Sequence, residues 1–396
     1  MEERSIYSLW LASRKGISNP CKKDLILKYG SAKKLYFMNS DEINELWIDD
    51  NVKTALKGKN LDEAKYIAEK CESKGIDVIA FEDDFYPPLL KEISNPPYLL
   101  YKKGKDIDYR NIPMASVVGS RILSEYGKFV TEKLSDELCR AGFLIVSGMA
   151  LGADGAAHCA AINAGAATVA VLGCGVDVIY PHQNREIYEY ISRYGAVLSE
   201  YPPETPPTRS TFPARNRIIS GMSHLTVVTE SRLKSGSLIT AGDAHAQGKE
   251  VFAVPQNINS PYGQGSNQLL KDYARVITSG ADALDYYIKA FKSGDYTKEL
   301  REAVALRKEK KEKSIFSEKM YDNIPLNLNE EEKKIINVLK NGITHINKIA
   351  AETGYPTGKV TAVASLLEIR GLIYSVTGNA YGLTDPQVWN SGESRI

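Results

Sequence analysis

Apolar positions along this chain change their rhythm several times, and each change marks a different kind of structure. Over residues 5–80 they recur at helical spacing, with polar breaks at Gly16-Ile17-Ser18 and Gly30-Ser31 around an amphipathic run at 22–29. The pattern predicts a small all-helical unit over residues 1–80, of the SAM-like or helix-hairpin-helix kind. Its two turns fit a hairpin that touches DNA backbone and equally fit a plain packing module. Tyr86-Pro87-Pro88 through Asn95-Pro96-Pro97 is punctuated by proline, which excludes continuous helix and predicts a connector into a strand at 98–101.

From Ala115 onward, short β-branched runs take over, at Ser116-Val117-Val118, 143–146, 168–172, 225–228 and 251–254. Their hydrophobicity is continuous, so both faces of each strand are buried. That is the pattern of a mostly parallel sheet covered by helices on both sides. Residues 81–294 are therefore expected to form a doubly wound, Rossmann-like α/β domain, with ligands held beyond the carboxyl ends of its strands. Residues 295–319 mix Lys, Arg and Glu with almost no aromatic core formers, which predicts a charged linker over 295–327. Residues 328–396 then show three helical stretches, at 330–340, 343–352 and 357–370, and a β-type alternation over 372–383 around Gly378-Asn379. Three helices and a hairpin predict a winged helix.

Composition changes the picture in one respect. Lys and Arg number 50 against 49 Asp and Glu, for a net charge of +1, so no global field would steer the protein toward a polyanion. Any nucleic-acid site must be a local patch. At 396 residues, 43% hydrophobic and 25% charged, the chain has a globular composition. Cys21, Cys71, Cys139, Cys159 and Cys174 are widely spaced and suggest neither a disulfide framework nor a zinc ribbon. No secretory signal and no membrane-spanning run is visible, which makes the cytoplasm the expected location.

The candidate chemistry lies in the loops after the predicted strands. Gly119-Ser120-Arg121 follows the first and precedes a helix starting near Ser124, an arrangement suited to phosphate. The next loop, 147–155, contains Ser147 and Gly148 but no dinucleotide fingerprint, and residues 242–249 miss a P-loop by one position. Asp154 and His158, four residues apart, suit a structural pair better than a catalytic one. The most informative segment is 209–221. Arg209, Arg215 and Arg217 occur there with Asn216 and Phe212 and no acid. Arginines neutralise phosphates and an exposed ring offers a stacking face to an unpaired base. A solvated loop with Phe212 tucked into the core is the competing interpretation, and the segment alone leaves both open. Ser235-Gly236-Ser237 adds a further small-residue turn on the same side of the sheet. The expected recognition helix at 356–371 offers only Lys359 and Arg370 beside Glu368, which favours protein contact over duplex reading.

Gly119-Ser120-Arg121, Ser147-Gly148 with Gly152 and 154–158, 169–175 with Tyr180-Pro181 and Asn184, 212–221, 235–241 and 251–255 occur in this order. Together they resemble the DNA processing protein A (DprA/Smf) family over residues 86–286. Gln256 and Tyr273 depart from that family's pattern, each standing where glycine is usual. The resemblance implies a non-catalytic protein that protects incoming single-stranded DNA during natural transformation and helps load the RecA recombinase. It implies a homodimer formed through the Rossmann-like domain, with no cofactor and no metal. Arg121, Arg209, Arg215 and Arg217 would hold the DNA backbone and Phe212 would stack on a base. Gly119, Ser120, Ser147, Gly148, Asn216, Ser235, Gly236 and Ser237 would supply polar donors. Two rival classes remain. Phosphoribohydrolases share the sheet type but carry a Pro-Gly-Gly-x-Gly-Thr turn with a nearby catalytic glutamate, where this chain has Ser235-Gly236-Ser237 and an isolated Glu230. A winged-helix transcription factor is disfavoured by the poor recognition helix.

Overall fold

The computed structural model describes residues 3–291 and, apart from 341, 343, 370, 371, 377 and 378, residues 329–383. The expected linker, Arg370 and Gly378 lie outside the described residues. Residues 1–311 cluster as one compact unit and residues 312–396 as another.

Among its described residues the first unit is organised by nine strands: β1 (Asp77–Ala80), β2 (Leu99–Gly104), β3 (Met114–Val118), β4 (Leu144–Ser147), β5 (Thr168–Leu172), β6 (Ala196–Ser199), β7 (Leu225–Val228), β8 (Glu250–Ala253) and β9 (Arg275–Val276). Their order is β1-β2-β6-β5-β4-β3-β7-β8-β9. The strands from β6 across to β9 pair in parallel, while β2 runs antiparallel to both β1 and β6. Each long apolar run of the sequence became a strand. β1, β6 and β9 were not anticipated, because β6 offers only Ala196-Val197-Leu198, β9 is two exposed residues, and β1 lies within the segment assigned to the helical unit.

The parallel strands from β6 to β8 are buried on both faces, as their continuous hydrophobicity requires, and only the short edge strand β9 is exposed. On one side Val117, Ile145, Val227 and Phe252 pack with Leu134 and Leu138 of helix Glu125–Arg140 and with Tyr287 of helix Gly280–Phe291. Helix Glu125–Arg140 is fixed at its start by Ser124, whose side chain accepts from Gly127 N. Ser124 in turn donates its N–H (2.7 Å) and its hydroxyl to the carboxylate of Glu230, fully buried just after β7. This ties the helix after β3 to the end of the neighbouring strand.

Six helices precede β1. Ser18 and Ser31 cap the second and third, and Gly30 ends the second with φ 89°, a left-handed conformation suited to glycine. Trp10 is buried with Leu9, Leu35 and Leu56, and its indole donates to Gly58 O at 2.8 Å. The second unit contains helices Glu330–Leu339, Ile346–Thr353 and Thr357–Ile369 and a three-stranded sheet formed by Thr344–His345, Ala380–Leu383 and Ile373–Val376. This is a winged helix closed over Ile335, Ile336, Ile349, Val360 and Leu367. Of its expected recognition cations, Lys359 is paired with Glu331, and Glu368 accepts from Ser375 N.

A Cβ at Gly127 would lie 2.5 Å from Glu230 Cδ. Both groups are held from several directions, so Gly127→Ala is expected to destabilise the protein by about 1–3 kcal/mol, the usual cost of overpacking. Urea unfolding measures this, and an unshifted midpoint would show that Glu230 can move aside.

Candidate nucleic-acid interface

β3 sits between β4 and β7, and the chain runs outward from it in opposite directions, through β4, β5 and β6 on one side and β7, β8 and β9 on the other. The carboxyl ends of β3 and β7 therefore flank the point where strand order reverses, the place where open α/β sheets leave a crevice. A cleft of about 590 Å³ opens there. Gly119, Ser120, Arg121, Arg209, Phe212, Arg215, Asn216, Ser235, Gly236 and Ser237 line it, so most of the anticipated residues do converge. Ser147, Gly148 and Arg217 do not.

The segment 209–221, read as a loop, is almost entirely helix, Thr211–Met222, and its aromatic residue sits in the first turn. Pro213 is accommodated in the first turn, where a missing N–H costs nothing. Phe212, also in that turn, is half-buried. Its ring rests on Gly173, where a Cβ would come within 3.0 Å of Phe212 Cδ1. Tyr180 lies beside it, with ring centroids 5.5 Å apart and planes inclined by 34°, and the Arg121 guanidinium stands 5.5 Å from its centroid.

The three arginines of this segment separate into different roles. Arg209 is exposed. Arg215 is buried, with 4% exposure, and its guanidinium donates to Gly148 O (2.7 Å), Val171 O and Asn216 Oδ1 (3.3 Å). Gly148 makes this possible, since a Cβ there would sit 2.6 Å from Arg215 Cζ. Buried Asp154 accepts from Gly148 N at 3.1 Å and Ala150 N at 3.3 Å. Burial pulls the Arg215 guanidinium below its ordinary value while Asp154 opposes the shift; burial raises Asp154 while Arg215 opposes it. Each group thus favours the charged form of the other against the larger effect of burial. Arg217 points elsewhere, donating to Glu200 (2.8 Å), Asn95 O (2.9 Å) and Ala214 O (2.6 Å). The sequence contained the distinction: Arg215 precedes Ile218, Ile219 and Met222 by three, four and seven positions, which puts it on the buried helix face.

The glycine and serine turns act mainly in packing. A Cβ at Gly119 would stand 2.6 Å from Ala153 Cβ, and Ser120 N donates to Glu230 O at 2.7 Å. Gly148 N is engaged by Asp154, and Ser147 Oγ donates to Val117 O at 2.6 Å. Ser235 caps helix Gly236–Ala246, whose exposed first residue, Gly236, faces the cleft. His158 is fully buried and bonded through Nδ1 to Thr168 Oγ1 at 2.8 Å; burial, reinforced by Arg215, pushes its pKa down to about 3. It is a neutral structural residue. Glu230, which a phosphoribohydrolase reading would make catalytic, is occupied by Ser124.

Arg232 and Lys234 line the cleft without having been candidates, and Tyr180 was noted only as part of the family motif and not as a site residue. Arg232-Leu233-Lys234 is an exposed loop whose base is held by Gly265 N donating to Ser231 O at 2.7 Å and by contact between the Ser231 and Ser237 hydroxyls at 2.9 Å. The signal was legible, since two cations precede the Ser235 turn with no acid between Glu230 and Asp243. Arg232 also lies over the Tyr262 ring, 4.2 Å from its centroid. Arg121, Arg209, Arg232 and Lys234 are all exposed, and none of them enters an ion pair among the described residues. The only acid among the lining residues is Asp154. Among the described residues, no group of three His, Cys, Asp or Glu side chains is placed to hold a metal, and no helix is long and apolar enough to cross a membrane.

Fold and cleft together define a Rossmann-like protein with a cationic, aromatic-edged crevice at the switch point. Residues 77–287 match the family described as DNA recombination-mediator protein A, and residues 323–379 match the DprA winged helix domain. The chain is 35% identical to Protein Smf of Synechocystis sp. over 339 residues, which covers 81% of this chain and 83% of that protein. It is 42% identical to the DNA processing protein DprA of Bacillus subtilis over 212 residues, 54% of this chain and 71% of the relative. The X-ray structure of DNA processing protein A from Streptococcus pneumoniae superposes with a TM-score of 0.60 at 34% identity, covering 71% of this chain and 97% of that one. The chain belongs to the DprA/Smf family.

Replacing Arg215 with Ala strips Gly148 O and Val171 O of their donor and removes the positive charge nearest buried Asp154, and is expected to cost about 3–5 kcal/mol. Arg121→Ala and Arg209→Ala, being exposed, should stay within about 0.5 kcal/mol of the parent. Equal shifts of all three in chemical denaturation would contradict this division.

Proposed function

We propose that this protein binds single-stranded DNA in the switch-point cleft and acts as a recombination mediator without catalysing a reaction. The observation that carries this reading is the ring of four exposed, unpaired cations around the half-buried Phe212. Charge alone would serve any polyanion. A ring seated on Gly173 and flanked by Tyr180 and the Arg121 guanidinium adds a platform suited to an unpaired base, because duplex DNA hides its base faces. Arg121, Arg209, Arg232 and Lys234 hold phosphates; Phe212, extended by Tyr180, stacks on a base; Ser235 and Gly236 offer polar donors at the helix start. Arg215 and Asn216 position these groups from beneath. Membership of a family of recombination mediators supports the wider role, in which the protein shelters incoming single strands during natural transformation and passes them to the RecA recombinase. Homodimerisation through the Rossmann-like unit and a cytoplasmic location complete the reading and rest on the resemblance.

Phe212→Ala should weaken single-strand binding by about tenfold or more, matching the roughly 1–3 kcal/mol of a base–aromatic stack, and leave weak duplex binding nearly unchanged. Fluorescence titration with a labelled oligonucleotide in both forms tests this, and parallel losses on both substrates would place Phe212 in the core instead. Arg121→Ala and Arg209→Ala should each lower the slope of log affinity against log salt by about 0.7, whatever the oligonucleotide sequence. A slope unchanged in both variants would move the phosphate site elsewhere.

A further inference from the structure

The segment between β6 and helix Thr211–Met222, residues 200–210, delivers Arg209 and Phe212 to the cleft, and the N-terminal helices grip it twice. At its start, Glu200 Oε1 accepts from Asn19 Nδ2 at 2.6 Å and from Arg217 Nη2 at 2.8 Å. The side chains of Arg217 and Glu200 are only 14% and 18% exposed. Arg217 also donates to Ala214 O, so the bond from Asn19 reaches the first turn of the helix that carries Phe212. At the middle of the segment, Glu204 Oε1 is paired with Lys70 (3.0 Å) and Lys74 (2.9 Å), and Lys74 also binds Asp177. Glu204 adopts φ 67°, a left-handed conformation that a residue with a Cβ adopts only when its surroundings impose it. Asp177 Oδ1, accepting from Glu204 N at 2.9 Å, helps to impose it.

We propose that the N-terminal helical unit sets the affinity of the cleft for single strands by holding residues 200–210 through Glu200 and Glu204, which are positioning residues that do not themselves meet the DNA. The inference rests on the single-strand reading of the cleft. It predicts a sign that direct electrostatics reverses. Removing an acid close to a polyanion site strengthens binding when charge alone matters; removing either grip weakens it when placement matters.

The test uses the full chain and a labelled single-stranded oligonucleotide. Glu204→Gln, and separately Asn19→Ala, should each weaken binding by about three- to tenfold, the range of coupling through a packed network. The melting temperature should stay within about 3 °C of the parent. Asn19→Ala changes no charge and tests the second grip alone should Glu204→Gln fold poorly. In a parent already carrying Arg209→Ala and Phe212→Ala, Glu204→Gln should have no further effect, because the side chains it places are gone. Unchanged or tighter binding in both single variants overturns the proposal while leaving the single-strand reading intact, as does an undiminished loss in the doubly substituted parent. Absence of single-strand binding by the unsubstituted protein removes both.

Discussion

The buried guanidinium of Arg215 is the group on which the rest of the cleft depends. It joins helix Thr211–Met222 to the loop after β4 through Gly148 O and to the end of β5 through Val171 O, while Asp154 balances its charge. A charge this far from water is tolerable only when paired and fully hydrogen-bonded. The same requirement explains the lack of a side chain at Gly148 and the burial of Asp154, while Asn184 holds the same loop by donating its amide to Met149 O and Ala150 O at 2.8 and 3.1 Å. The Ser147-Gly148 turn, expected to supply polar donors, is here largely the socket of an arginine.

That socket lets exposed groups remain unpaired. Arg121, Arg209, Arg232 and Lys234 surround a floor whose polar groups are already satisfied, and the cations are not drawn into internal ion pairs. A site of this kind is electrostatically primed before any ligand arrives, so little reorganisation accompanies binding. The contact between Ser124 and Glu230 does for the other wall what Arg215 does for the first, joining the helix after β3 to the end of β7.

The fold was legible where strands are buried on both faces, because such strands leave unbroken apolar runs; β3, β4, β5, β7 and β8 all announced themselves this way. β6 is as long as β4, β7 and β8, but Ala196-Val197-Leu198 holds a single β-branched residue and did not rise above the background. The winged helix was readable from helical spacing and a hairpin. In the cleft, residue types were legible but directions were not. Arg209, Arg215 and Arg217 look alike as charges, and only the helical phase set by Ile218, Ile219 and Met222 separates the buried one from the exposed one. Reading residues 209–221 as a loop hid that phase, although Pro213 falls in a first helical turn that tolerates it.

The loop Arg232-Leu233-Lys234 is fastened at its base by Ser231 and Ser237 while its three residues are exposed, Leu233 and Lys234 to solvent and Arg232 over the Tyr262 ring. Sheet and loop are therefore separable modules. Drift at these three positions alters the charge and texture of the cleft rim without disturbing a single buried contact of Ser231. Related proteins can thus diversify at this rim while the architecture beneath stays fixed, and an engineer seeking altered substrate preference has there a graft point insulated from folding.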